Sequence, residues 1–308
     1  MSSILPLPVI ATVKAAYRDV FGDLKAFAGV MWLTLLMMVV FVELPTLMVT
    51  QAISKFIHPE KYVEAGVDTN ISAEHELPKT DAEVDAVTVD DARHVPPEYV
   101  FMLMGLNLLA TAILFSFSFA WYRQLLVGEK KGKMIVFHFG KAEWRFAITA
   151  LKCGFAVAPF MLVMVSFAMA SLPEFAGGAP QSLGESMPVF LICGVLMLAI
   201  MARVSMSYPL TVMHITDAPI KQSWVMTRQQ TLRIVAGIIT MVVPLFSGSL
   251  LVVIGINYLL NGGKGAPTFA EHLLYKTLGS LFLLVACALI SAFTARAYAF
   301  LVRSQSQL

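Results

Sequence analysis

Six stretches of this chain stay apolar for longer than a water-soluble helix has reason to, and nothing else in the sequence restricts the fold as much. A helix needs about 20 mainly apolar residues to cross about 30 Å of hydrocarbon. Residues 27–52, 100–122, 146–171, 188–213, 234–260 and 274–300 all meet that length. The expected fold class is therefore all-α, a polytopic membrane bundle of six transmembrane helices. Composition agrees: 58% of the 308 residues are hydrophobic and 14% are charged, against about 45–50% and about 25% in an average soluble domain.

Charge is unevenly placed. Of the 20 acidic residues, 11 fall between Glu60 and Glu98, so the net charge of +2 averages one acidic loop against several basic ones. That balance gives no reason to expect a nucleic-acid partner. The loop, about 53–98, is poor in aromatics and broken by Pro59, Pro78, Pro96 and Pro97. It has too little apolar surface to offset ordering entropy, which predicts a flexible external segment between helices one and two.

Lys and Arg in short loops set orientation. Arg123, Lys130, Lys131, Lys133, Lys141 and Arg145 lie between helices two and three, and Lys221, Arg228 and Arg233 between helices four and five. Lys14, Arg18 and Lys25 precede helix one and Arg303 follows helix six, whereas 171–187 contains no basic residue. Every cluster falls on one side, which predicts cytoplasmic N- and C-termini and a multi-pass place in a bacterial inner membrane. The first apolar run, Ala26 to about Ala52, exceeds the 7–15 residues of a signal-peptide core and reads as a retained span.

Each odd-numbered helix is preceded by a partly amphipathic segment: VKAAYRDVFGDLKAF, FGKAEWRFAITAL and IKQSWVMTRQQTLRI. In the first, Val13, Tyr17, Val20, Phe21 and Leu24 recur at helical spacing among charges, the layout of a helix lying in the membrane interface. The expected organisation is a cytoplasmic interfacial helix over 1–26 and a six-helix membrane domain over 27–308, built as three hairpins. Tyr99, Trp121, Tyr122, Trp144, Tyr208, Tyr258, Tyr275 and Tyr298 lie near predicted helix ends, where amphipathic rings settle at headgroup level. Cys153, Cys193 and Cys287 all sit in apolar stretches and read as small core residues rather than a disulfide framework.

Charges inside spans are expensive and mark candidate sites. Lys152, Arg203 and Arg296 all lie toward the cytoplasmic side, close enough for their side chains to reach the headgroups. Alternatively they converge with Arg123 in a basic pocket for an anionic lipid headgroup. Ser205, Ser207 and Thr294 stand beside these arginines as possible hydroxyl donors. Glu43 lies about 16 residues into helix one, toward the external side and next to Pro45, which removes a backbone donor. It reads as a boundary residue or as a transport site.

His58, His75 and His94 have no metal-ligand spacing, and the chain lacks GxSxG, P-loop and dinucleotide patterns. No enzyme activity, cofactor or metal is therefore expected.

The stretch SYPLTVMHITDAPIKQSWVMTRQQTLRIVAGIITMVVP, with FAWYRQLLVGEK and FGKAEWRF before it, resembles the YciC-like bacterial six-helix proteins. It is also similar to the membrane domain attached to some glycerophosphoryl diester phosphodiesterases. Ser223, Trp224 and Thr227, in an SW-x-x-T pattern, are its most specific residues. The resemblance implies the six-helix topology and a membrane-lipid context. It implies no catalytic residue, because the phosphodiesterase chemistry belongs to a separate soluble domain that this chain lacks. The expected function is non-catalytic: binding of membrane lipids through their anionic headgroups, or of membrane-protein partners or further copies, as a support or complex subunit. The alternative is a small secondary transporter using Glu43 and the proline-broken helices.

Overall fold

The structure is a computed structural model that describes residues 6–57, 96–128, 140–170, 183–261 and 268–306. It is an all-α polytopic bundle, with no strand among the described residues. Six helices are long and apolar enough to cross a membrane: Phe27–Ile53, Pro97–Val127, Lys141–Val163, Leu191–Val212, Thr231–Leu259 and Phe269–Ser304. Most of the predicted external loop and all three of its histidines lie outside the described residues.

The first span is not one uniform helix. Helix α1 (Val9–Phe21) turns at Gly22 and Asp23 into α2 (Leu24–Met38), which passes through a π-helical turn at Val39–Glu43 into α3 (Leu44–Ile57). Pro45 explains the π turn. It has no N–H to offer the carbonyl four residues earlier, so the ladder rearranges just before it. The remaining elements are α4 (Pro97–Val127), α5 (Lys141–Ala170), α6 (Leu183–Val204), α7 (Ser207–Val212), α8 (Pro219–Thr227), α9 (Thr231–Asn261) and α10 (Phe269–Ser306).

Consecutive spans pack as hairpins: α2 and α3 on α4, α5 on α6, and α9 on α10. The bundle is organised around α10, which meets α1, α2, α3, α4, α7 and α9. Its inward face carries the small residues Ala288, Ser291, Ala292, Ala295 and Ala297, all buried. Between membrane helices there is no hydrophobic driving force, so small residues that let backbones approach closely take its place. Gly237 of α9 serves the same purpose, since a Cβ there would collide with the buried ring of Phe293.

The apolar stripe of helix α1 is covered by protein. Val13, Ala16 and Val20 are buried against the bundle, and α1 packs on α9 and α10. The Tyr17 hydroxyl donates to the Met241 carbonyl at 3.2 Å, and the Leu7 N–H donates to Gln230 Oε1 at 3.2 Å. Leu24, read as part of the stripe, is exposed instead.

Several expected headgroup-level aromatics are core residues. Trp121, Tyr122 and Tyr298 are buried; Trp121 donates from Nε1 to the Ala288 carbonyl at 3.1 Å, and Tyr122 shares a 2.5 Å bond with Thr294 Oγ1. Helix counting places a residue at an end of its helix, but only packing decides whether that end is covered. Trp144 and Tyr258 are exposed near helix ends, as an aromatic belt requires.

The repeat of amphipathic segments holds in two of three places. The first and third are separate helices, α1 and α8, each joined by a short turn to its span. In the second, residues from Lys141 onward belong to the spanning helix α5 itself.

Candidate functional site

The fourth span breaks where its proline requires. Pro209 cannot donate to the Ser205 carbonyl and its ring crowds that group; α6 stops at Val204 and α7 begins at Ser207. The break exposes carbonyls with no helical partner, and hydroxyls satisfy them. Ser205 Oγ donates to Ala202 O at 2.8 Å and Ser207 Oγ to Val204 O at 2.5 Å. Ser223 Oγ reaches over from α8 to Arg203 O at 2.6 Å, with Thr227 Oγ1 at 3.3 Å from the same oxygen. The Arg203 guanidinium lies 4.7 Å from the centre of the Trp224 ring, within cation–π range.

All three residues of the SW-x-x-T pattern therefore meet Arg203. Their hydroxyls cap its carbonyl and their indole covers its side chain, pinning α8 to the end of α6. Ser205, Ser207 and Thr294, expected as donors to a ligand, have their hydroxyl hydrogens directed at protein oxygens.

Just beyond α7 the chain makes a tight helix-ending turn. The His214 N–H bonds the Thr211 carbonyl at 3.2 Å and the Ile215 N–H bonds the Leu210 carbonyl at 3.3 Å. That double bond pattern needs a left-handed residue after the helix, normally glycine. Here it is His214, with φ at 51°. A histidine held where glycine is preferred costs about 1–2 kcal/mol of backbone energy.

His214 faces a cleft of about 400 Å³ between α5 and the turn leading into α8. Arg145 and Lys152 line it from α5, and Asp217 and Lys221 from the opposite wall. Arg145 and Lys152 are seven residues apart, about two turns or about 10 Å on one face of the helix. Thr149 and Thr211 form the buried floor, their hydroxyl oxygens 3.3 Å apart; Thr149 donates to Arg145 O and Thr211 to Ser207 O. Among the described residues, no ion pair engages Arg145, Lys152, Asp217 or Lys221. Three cations against one carboxylate leave these four side chains two positive charges in excess.

The cationic candidates from the sequence do not converge. Lys152 alone lines the cleft. Arg296 makes a bidentate pair with Asp19 of α1, Nε to Oδ2 at 2.7 Å and Nη2 to Oδ1 at 2.6 Å. Arg123 sits 3.7 Å from the Glu143 carboxylate and 5.7 Å from the Phe119 ring centre. Arg203 is at the α6–α8 clamp.

Glu43 stands apart on the π turn, where its Oε1 accepts a 2.5 Å bond from Ser280 Oγ of α10. No group of three His, Cys, Asp or Glu side chains positioned for a metal occurs among the described residues. No family model, curated relative or solved structure matches this chain.

Proposed function

We propose that this multi-pass protein binds an anionic lipid headgroup at its basic end and acts, without chemistry of its own, as a support or complex subunit of a bacterial inner membrane. Its basic end faces the cytoplasm in this reading, and the YciC-like resemblance at Ser223, Trp224 and Thr227 supports the membrane-lipid context. The observation that carries it is the Arg145–Lys152–Lys221 cleft, whose three cations have no carboxylate partner among the described residues. Basic pockets between spanning helices on that side suit anionic headgroups, each Lys or Arg contributing about 1 kcal/mol. Native mass spectrometry of the detergent-extracted protein tests this. Arg145→Gln with Lys152→Gln removes about 2 kcal/mol of attraction, so retained phosphatidylglycerol or cardiolipin falls by roughly thirtyfold in affinity. Equal retention by wild type and the double variant sinks the reading.

Transport through Glu43 is a second reading, supported by a carboxylate on a π turn inside a span. Glu43→Gln separates it from a structural role. The amide oxygen still accepts the Ser280 hydroxyl, so a purely structural Glu43 tolerates the change in thermal stability and in proteoliposome ion flux alike. Loss of flux with stability intact selects transport.

A further inference from the structure

The cleft carries more charge than a phosphodiester headgroup needs. We propose that it takes a phosphate monoester, presented on a diacyl lipid of the phosphatidic acid class. The inference rests on the anionic-headgroup reading and names the ligand within it.

The first support is charge. Arg145, Lys152 and Lys221 against Asp217 leave an excess of two positive charges, and none of the four is paired among the described residues. A phosphodiester such as phosphatidylglycerol brings one negative charge. A phosphate monoester brings about 1.5 to 2 near pH 7 and an additional strong acceptor oxygen. The second support is which donors remain. The Thr149 and Thr211 hydroxyls on the floor already donate to backbone carbonyls, so a ligand meets the cationic rim. The start of α8 also borders the cleft through Ala218, Pro219 and Ile220, adding the partial positive charge of a helix N-terminus. A guanidinium and two ammonium groups on opposite walls suit a group with three acceptor oxygens better than one with two.

The third support is the way out of the cleft. Ile148 lines it, and Leu151 and Phe155 continue the same face of α5 along the span, 57% and 70% exposed. An acyl chain attached to a phosphate in the cleft has an apolar track to follow. A soluble polyol phosphate offers the same phosphate chemistry and makes no use of that track.

The test uses the full chain in detergent, titrated with phosphatidic acid, phosphatidylglycerol or phosphatidylcholine and read by native mass spectrometry at pH 7.5. Glycerol 3-phosphate and glycerophosphocholine are titrated in parallel and read by thermal shift. The expected result is phosphatidic acid bound on the order of tenfold more tightly than phosphatidylglycerol, with no shift from either soluble ester. Lys221→Gln should erase the difference between the two lipids, while Asp217→Asn, also at an exposed position, should tighten both. A shift from glycerol 3-phosphate but not from glycerophosphocholine, without discrimination among the lipids, assigns the monoester site to a soluble ligand and overturns the lipid source. Equal binding of the two anionic lipids with no soluble-ester shift overturns the monoester inference and leaves the anionic-headgroup reading standing. Binding of both no better than phosphatidylcholine, again without a shift, overturns the two together.

Discussion

At the scale of single residues, His214 is where local backbone preference and the site disagree. The turn after α7 is built for glycine, yet a histidine with φ at 51° occupies it and lines the cleft. His214→Gly relieves the left-handed strain, partly offset by the greater freedom of glycine in the unfolded chain, for a net gain of about 0.5–1 kcal/mol. Thermal unfolding in detergent should show the variant slightly more stable than wild type; a loss of stability would mean that the ring makes contacts outweighing the strain. Residues of this kind were only half legible in the sequence. Lys152 announced itself as a charge inside a span, but Arg145 and Lys221 read as ordinary loop charges. No spacing rule links two residues of α5 with one on α8 some 70 positions later, so only folding brings them to one cleft. The same reasoning that flagged Lys152 also flagged Arg296, which the fold commits to Asp19. Sequence gives the depth of an intramembrane charge and says nothing of its partner.

At the scale of elements, the fourth span shows how a proline, four hydroxyls and a short helix work as a unit. Pro209 was legible as a helix breaker; where the freed carbonyls would find donors was not. Ser223 and Thr227 come from α8 to cap Arg203, so the SW-x-x-T pattern is the sequence trace of a helix-to-helix clamp. Ser223→Ala with Thr227→Val leaves a part-buried carbonyl without a side-chain donor, at about 1 kcal/mol. The double variant should melt lower in detergent and admit protease earlier within 213–230 than elsewhere. Unchanged melting would mean that water or a shifted backbone satisfies that oxygen. Helix α1 makes the converse point. Its amphipathic period was readable and marked a helix of the membrane interface, and its apolar face packs on α9 and α10. Periodicity identifies the face to be covered and leaves open what covers it.

At the scale of the whole molecule, the six spans were readable because a bilayer enforces one solution. Every backbone polar group in hydrocarbon must be satisfied within its own segment, so long apolar runs become helices whatever their neighbours do. The hairpin pairing of consecutive spans was expected from the amphipathic segments that precede the odd-numbered helices, while the central position of α10 was not. Its alanines look like any apolar run until their close neighbours are known. Orientation depends on a different signal, the gathering of Lys and Arg at one end, and yields a prediction independent of every proposed ligand. Asp217 and Glu98 are both exposed and belong to opposite ends of the bundle, Asp217 just beyond the fourth span and Glu98 at the start of the second. In a background with Cys153, Cys193 and Cys287 replaced by alanine or serine, a cysteine is introduced at one position or the other. In intact cells a membrane-impermeant thiol reagent should label position 98 and spare position 217, with both labelled after the membrane is opened. If the positive-inside rule governs this chain, the cleft and all its cations then face the cytoplasmic leaflet, where anionic headgroups would have to be found. Labelling of 217 but not 98 in intact cells would invert the molecule and put the cleft on the outer face.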